Sequence, residues 1–154
     1  MRNLIPLLVF IGFGTRLSAI DLRVHRLPNH LDGWFALTQS ATLIALNLDD
    51  FIQLKIPLLV ATGTTATYLI LFVLSRGSLG MGDVKFGFPI GLTIGWYCPE
   101  FWLLAIFSSF LIAGVVAVIG LAAKRITRNS PIAFGPYMFL GSLFAIAFSV
   151  LSQT

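Results

Sequence analysis

Gly80-Met81-Gly82-Asp83-Val84-Lys85 decides how the rest of the chain is read, because it sets a carboxylate between two glycines and the start of an apolar run. Around it lies a sequence of 154 residues that is 57% hydrophobic and only 10% charged, with a mean hydropathy of +0.93. Soluble domains carry roughly 25% charged residues, so this composition belongs in a membrane. A transmembrane helix needs about 20 mostly apolar residues, and the length leaves room for about six of them with short connections. No stretch is left for a separate soluble domain, and residues 1–154 read as a single transmembrane domain.

Charged and Pro/Gly breaks predict an all-α bundle with helices at about 4–21, 31–48, 56–74, 83–98, 101–123 and 132–152. The first run reads as a helix rather than a cleaved secretory signal, since Arg16 interrupts it and five further apolar runs follow. Alternate loops put Arg23, Arg26, Arg76, Lys85, Lys124, Arg125 and Arg128 on one side and only Arg2 and Lys55 on the other. The positive-inside rule makes the first side cytoplasmic and leaves both termini outside. The excess of Lys+Arg, 10 against 6 Asp+Glu, then follows from loop placement, and no basic stripe with interleaved aromatics points to nucleic acid. The single Cys98 allows neither an intrachain disulfide nor a cysteine zinc cluster, and no His/Glu spacing suggests a metal site.

On this topology Asp21, at the end of the first helix, and Asp83, at the start of the fourth, reach the same face, while Asp49, Asp50 and Glu100 fall on the other. Asp83, Gly87, Gly91 and Gly95 form one i+4 row, the small-xxx-small pattern that lets another helix backbone come close. Asp83 is therefore expected to point into the bundle. Asp21 stands over Leu17, Ser18 and Gly14, so two small-faced helices carrying one aspartate each could pack together. Leu27-Pro28-Asn29 stops the first helical segment, with Asn29 or Asp32 expected to cap the second.

Two carboxyl groups held together cannot both ionise cheaply, so they share a proton and titrate as a pair. The ionised member can take a proton from water while the protonated member polarises a peptide carbonyl and later serves the leaving amine. That is aspartic protease chemistry, and it needs neither a metal nor a cofactor. Other readings stand beside it. An aspartate at a span end can simply be solvated, Asp21 could pair with Arg23 or Arg26, and Lys85 could be an inside-positive anchor. The chain could also be a catalytically silent membrane subunit of a pilus or secretion machine, or a small transporter whose aspartates carry protons.

Three elements, in order, resemble the type IV prepilin peptidases, the GxGD-type aspartic membrane proteases. They are Ile20-Asp21 followed by Arg/His residues and Leu27-Pro28-Asn29, then Gly80-Met81-Gly82-Asp83-Val84-Lys85, then Phe134-Gly135-Pro136. The resemblance implies Asp21 and Asp83 as catalytic aspartates, with Gly80, Gly82, Lys85, Pro28, Asn29, Gly135 and Pro136 as supporting motif residues. It also implies a prepilin or pseudopilin precursor as substrate, cleaved at the cytoplasmic edge of the inner membrane. Many members carry a further segment with paired CxxC motifs and N-methylate the new amino terminus. This sequence has one cysteine, so cleavage without methylation is expected, as in the short members of the family.

Overall fold

The computed structural model describes residues 4–25, 27–76, 79–125, 127 and 132–152. Arg2, Arg26 and Arg128, which the charge argument uses, lie outside the described residues. The elements are α1 (Leu4–Val24), α2 (Asn29–Leu46), α3 (Lys55–Leu74), α4 (Met81–Tyr97), α5 (Trp102–Ala122) and α6 (Gly135–Ser152). Short 3-10 turns at Phe51–Leu54 and Pro99–Phe101 lead into α3 and α5. No strand occurs among the described residues.

Four segments are long and apolar enough to cross a membrane: Leu4–Val24, Phe51–Leu74, Pro99–Ala122 and Gly135–Ser152. The protein is a multi-pass, all-α membrane protein. Exposed Leu8, Leu59, Ile70, Phe107 and Val118 would be a liability in water and suit contact with lipid chains. α4 falls short of that standard for a physical reason. Its 17 residues rise only about 26 Å at 1.5 Å each, and it runs through the interior, with Asp83, Val84, Phe86, Gly87 and every residue from Pro89 to Gly95 buried. A helix sheathed by protein needs neither a lipid-facing surface nor uniform hydrophobicity.

The glycine row of α4 explains how it is sheathed. A Cβ added at Gly91 would lie 2.5 Å from Ala61 Cα, and one at Gly95 would lie 2.6 Å from Pro57 Cα. One at Gly87 would lie 2.9 Å from the Tyr68 ring. α3 and α4 therefore run antiparallel in backbone contact. The glycine row of α4 is thus taken up by α3 rather than by α1. α3 offers Pro57, Ala61 and Thr64 at helical spacing, which fit the glycine groove, whereas Gly14 of α1 receives the Phe139 ring of α6.

α5 and α6 form the second antiparallel pair. Phe101 packs on Phe148 at one end, with ring centroids 5.4 Å apart, and Phe110 packs on Phe134 towards the other, at 4.7 Å. The Ser109 backbone and hydroxyl press on Gly141 between them. At the centre, Phe10 touches Phe35 and Phe139, and Phe35 touches Phe86, so one aromatic cluster joins α1, α2, α4 and α6. Gln39 Nε2 donates to Thr93 Oγ1 across 3.0 Å, a buried tie between α2 and α4.

Candidate active site

α1 ends three residues beyond Asp21, so that aspartate stands inside the last turn rather than at the helix end. His25 adopts the left-handed conformation, φ 51°, and its N–H donates to the Asp21 carbonyl at 2.8 Å. The Asp21 side chain turns inward, is only 4% exposed, and accepts the Gly135 N–H at Oδ2 across 2.9 Å. Gly135 is the first residue of α6, and an N–H in a first helical turn has no partner within its own helix. A carboxylate there meets both a free donor and the positive end of the helix dipole. The position admits only glycine comfortably, since a Cβ on Gly135 would stand 2.9 Å from Asp21 Oδ2. Pro136, buried in the same turn, sits where its missing N–H is not required.

Asp83 is built by the same device within one helix. Gly80 is extended at the N-cap of α4 (φ −72°, ψ 144°), and its N–H donates to Asp83 Oδ2 across 3.1 Å. The Asp83 N–H returns to the Gly80 carbonyl, also at 3.1 Å. Asp83 is 7% exposed and lies within electrostatic reach of Asp21. Each carboxyl is thus fixed through one oxygen at the N-terminus of a helix.

The loop after α1 ties the two halves together. Leu27 is wedged between them: a Cβ on Gly82 would lie 2.9 Å from Leu27 Cβ, and one on Gly135 would lie 3.4 Å from Leu27 Cδ2. Pro28 takes the N-cap position of α2 with no side-chain capping bond. The expected caps have other partners or surroundings. Asn29 Oδ1 accepts from Lys85 Nζ at 3.0 Å, so Lys85, read as an anchor, joins α4 to α2. Asp32 is buried in the first turn of α2, 5% exposed. The signal that would have found it is the inward stripe Asp32, Phe35, Gln39 and Leu43, the buried residues of α2.

Tyr68, one aromatic in an apolar run, carries no signal of its place in the sequence. It is 1% exposed, hydrogen bonds with Ser109, lies edge-on to Phe134 at 6.1 Å, and fills the notch at Gly87, one turn after Asp83. It therefore touches the segments that carry both carboxyl anchors. Beside Asp21 a groove of about 620 Å³ opens between Leu22 of α1, His25 just beyond that helix, Gly120 near the end of α5, and Tyr137 of α6. Cys98 lies at the opposite end of α4. It is buried there.

Residues 8–118 match the model of the type IV leader peptidase family, a stretch that contains Asp21, Asp83 and Lys85. The prepilin leader peptidase/N-methyltransferase of Pectobacterium carotovorum subsp. carotovorum is 26% identical over 151 residues, covering 90% of this chain and 50% of the relative. The protein of the same name from Bacillus subtilis (strain 168) is 25% identical over 146 residues, covering 93% of this chain and 55% of its own length. That from Dickeya chrysanthemi is 26% identical over 157 residues, with 96% and 52% covered. The chain spans about half the length of the curated relatives it matches. No solved structure matches.

Proposed function

The chain belongs to the type IV leader peptidase family, and from that premise we propose that it is an aspartic endopeptidase that removes the leader of prepilin-like precursors. The observation that carries this reading is the shared arrangement of two aspartates from distant motifs. Asp21 and Asp83 are both buried at one end of the bundle, each with Oδ2 held by a glycine N–H at a helix N-terminus.

With Oδ2 anchored, each carboxyl keeps Oδ1 for chemistry. The pair holds one proton between two acids, because two buried carboxylates within electrostatic reach of each other repel. The ionised carboxyl takes a proton from a water as that water attacks the scissile carbonyl carbon. The protonated carboxyl gives its proton to the carbonyl oxygen, so the tetrahedral species is a neutral gem-diol. On collapse the carboxyl that took the water proton gives it to the leaving amine as the C–N bond breaks, and a gem-diol hydroxyl returns its proton to the other carboxyl, which restores the one-proton pair without any acyl-enzyme intermediate. The anchoring N–H groups hold both acids in place in the resting site, so little reorganisation is needed during reaction.

The reading places the site at the cytoplasmic face of the inner membrane with all six helices crossing. Arg23, Arg76, Lys85, Lys124 and Arg125 belong to the ends of helices that share the Asp21–Asp83 end, and Lys55 begins α3 at the other. Co-expression with a candidate prepilin, scored by the mobility shift of the trimmed product, tests the proposal. Wild type should trim the precursor, while Asp21→Asn and Asp83→Asn should each reduce trimming at least about a thousandfold. Wild-type trimming by either variant refutes the dyad.

A further inference from the structure

Asp32 is a buried acid that the cleavage chemistry above does not use. It is 5% exposed, and its Oδ1 has no hydrogen-bond partner. Its neighbours along α2 fix the direction it faces. Asn29, one turn before, holds Lys85 Nζ of α4 at 3.0 Å. Phe35, one turn after, packs on Phe86 of α4 with centroids 6.0 Å apart and stacks on Phe13 of α1 at 5.4 Å. Between those contacts, Asp32 faces the cleft of α1 and α4 at the level of the first turns of α4, where Asp83 stands. Three of the six acidic residues in the sequence, Asp21, Asp32 and Asp83, gather at this end of the bundle.

A buried carboxylate oxygen without a donor is unfavourable, and the deficit is removed when a donor arrives. The nearby cation, Lys85, lies within electrostatic reach of Asp32 but donates to Asn29 Oδ1, so it leaves Asp32 Oδ1 without a donor. Three buried acids stand at this end against the one lysine that reaches Asp32, so the local balance is negative although the chain as a whole is +4. A neutral N–H would satisfy the oxygen, but only a cationic group would balance the charge as well.

We propose that Asp32 is a substrate-reading residue whose free Oδ1 receives the ammonium or guanidinium group of a Lys or Arg side chain close to the scissile bond. This rests on the peptidase reading and deepens it. Asp32 contributes to which precursor is held, and the dyad contributes to how fast it is cut, so the two roles separate kinetically.

The test uses the full chain in membranes and two matched precursors, one with Lys or Arg before the cleavage point and one with Gln in those places. Asp32→Asn keeps the shape and an acceptor but removes the charge. It should raise KM for the basic precursor about tenfold and leave kcat within about twofold, with Asp32→Glu recovering part of the loss. The Gln precursor should be cut alike by wild type and Asp32→Asn. An equal fall in kcat for both precursors, or an unchanged KM for the basic one, overturns the proposal. A second measurement does not need turnover: binding of fluorescent peptides carrying the two leader sequences to Asp83→Asn protein in detergent. Adding Asp32→Asn should weaken the basic peptide about tenfold and spare the Gln peptide, and equal weakening or none overturns the assignment. If wild type cuts neither precursor, the peptidase reading fails, and the binding comparison still judges Asp32.

Discussion

Replacing Gly135 by alanine tests the structural core of the site, because one methyl group would strike the anchored carboxyl directly. The added Cβ would stand 2.9 Å from Asp21 Oδ2 and 3.5 Å from Asp21 Cγ, with Leu27 Cδ2 at 3.4 Å on its other side. Leu27 is itself wedged against Gly82, so the carboxyl is the group that must give way. Moving it lengthens or breaks the 2.9 Å bond from the Gly135 N–H. A hydrogen bond to a charged group contributes about 1.5–3 kcal/mol. At about 1.36 kcal/mol per factor of ten, losing it corresponds to a fall of roughly 10- to 150-fold in kcat. KM should stay within about twofold, since the lost interaction holds a reacting group rather than the substrate. The assay is cleavage of a purified precursor in detergent micelles, with Gly114→Ala in α5 as the matched control. A Cβ at Gly114 meets nothing within 4 Å, so that variant should be indistinguishable from wild type. Unchanged kcat in Gly135→Ala, in protein that folds and accumulates normally, would refute the claim that this contact sets the position of Asp21.

Two other substitutions follow from the same packing. Gly82→Ala puts a Cβ 2.9 Å from Leu27 Cβ and should lower activity about tenfold; combining it with Leu27→Ala should restore part of that loss, and strictly additive effects in the double-mutant cycle would show that the two residues do not press on each other. Gly91→Ala forces α3 and α4 apart at Ala61 Cα and should destabilise the protein by about 1–3 kcal/mol, read as a fall in Tm in a detergent melt that Gly114→Ala does not show.

Much of this architecture was legible in the sequence because lipid imposes strict rules. A segment that crosses hydrocarbon must be apolar and helical, so the runs and their breaks gave the helices to within a few residues. Alternation of those runs was enough to bring Asp21 and Asp83 to one end. What the sequence withheld were relations between elements. The row of glycines in α4 announced a close neighbour but carried no information on which helix it was, and α3 took the place because Pro57 and Ala61 complement the groove. Leu27 looked like any apolar residue before a proline, yet its side chain fills the space left by two glycines from distant motifs. Asp32 looked like a cap because Asp is common there, and only the inward stripe through Phe35 and Gln39 separates a buried acid from a capping one. Lys85 likewise reads in the sequence as an inside-positive anchor, and nothing there marks its specific bond to Asn29.

The division of anchors between two antiparallel pairs has a consequence for how the protein would wear out. Asp83 is held inside the α3–α4 pair by Gly80, whereas Asp21 is held by Gly135, which opens the α5–α6 pair. Each pair is closed by its own glycine contacts, at Gly91 and Gly95 in one and at Gly141 in the other. A small slide of one raft past the other would part the carboxyls while every helix stayed intact. Inactivation by heat or harsh detergent would then be an undocking event, invisible to circular dichroism and reversible on return to lipid, and a tether across the α4–α6 seam would protect activity more than any reinforcement of a single helix.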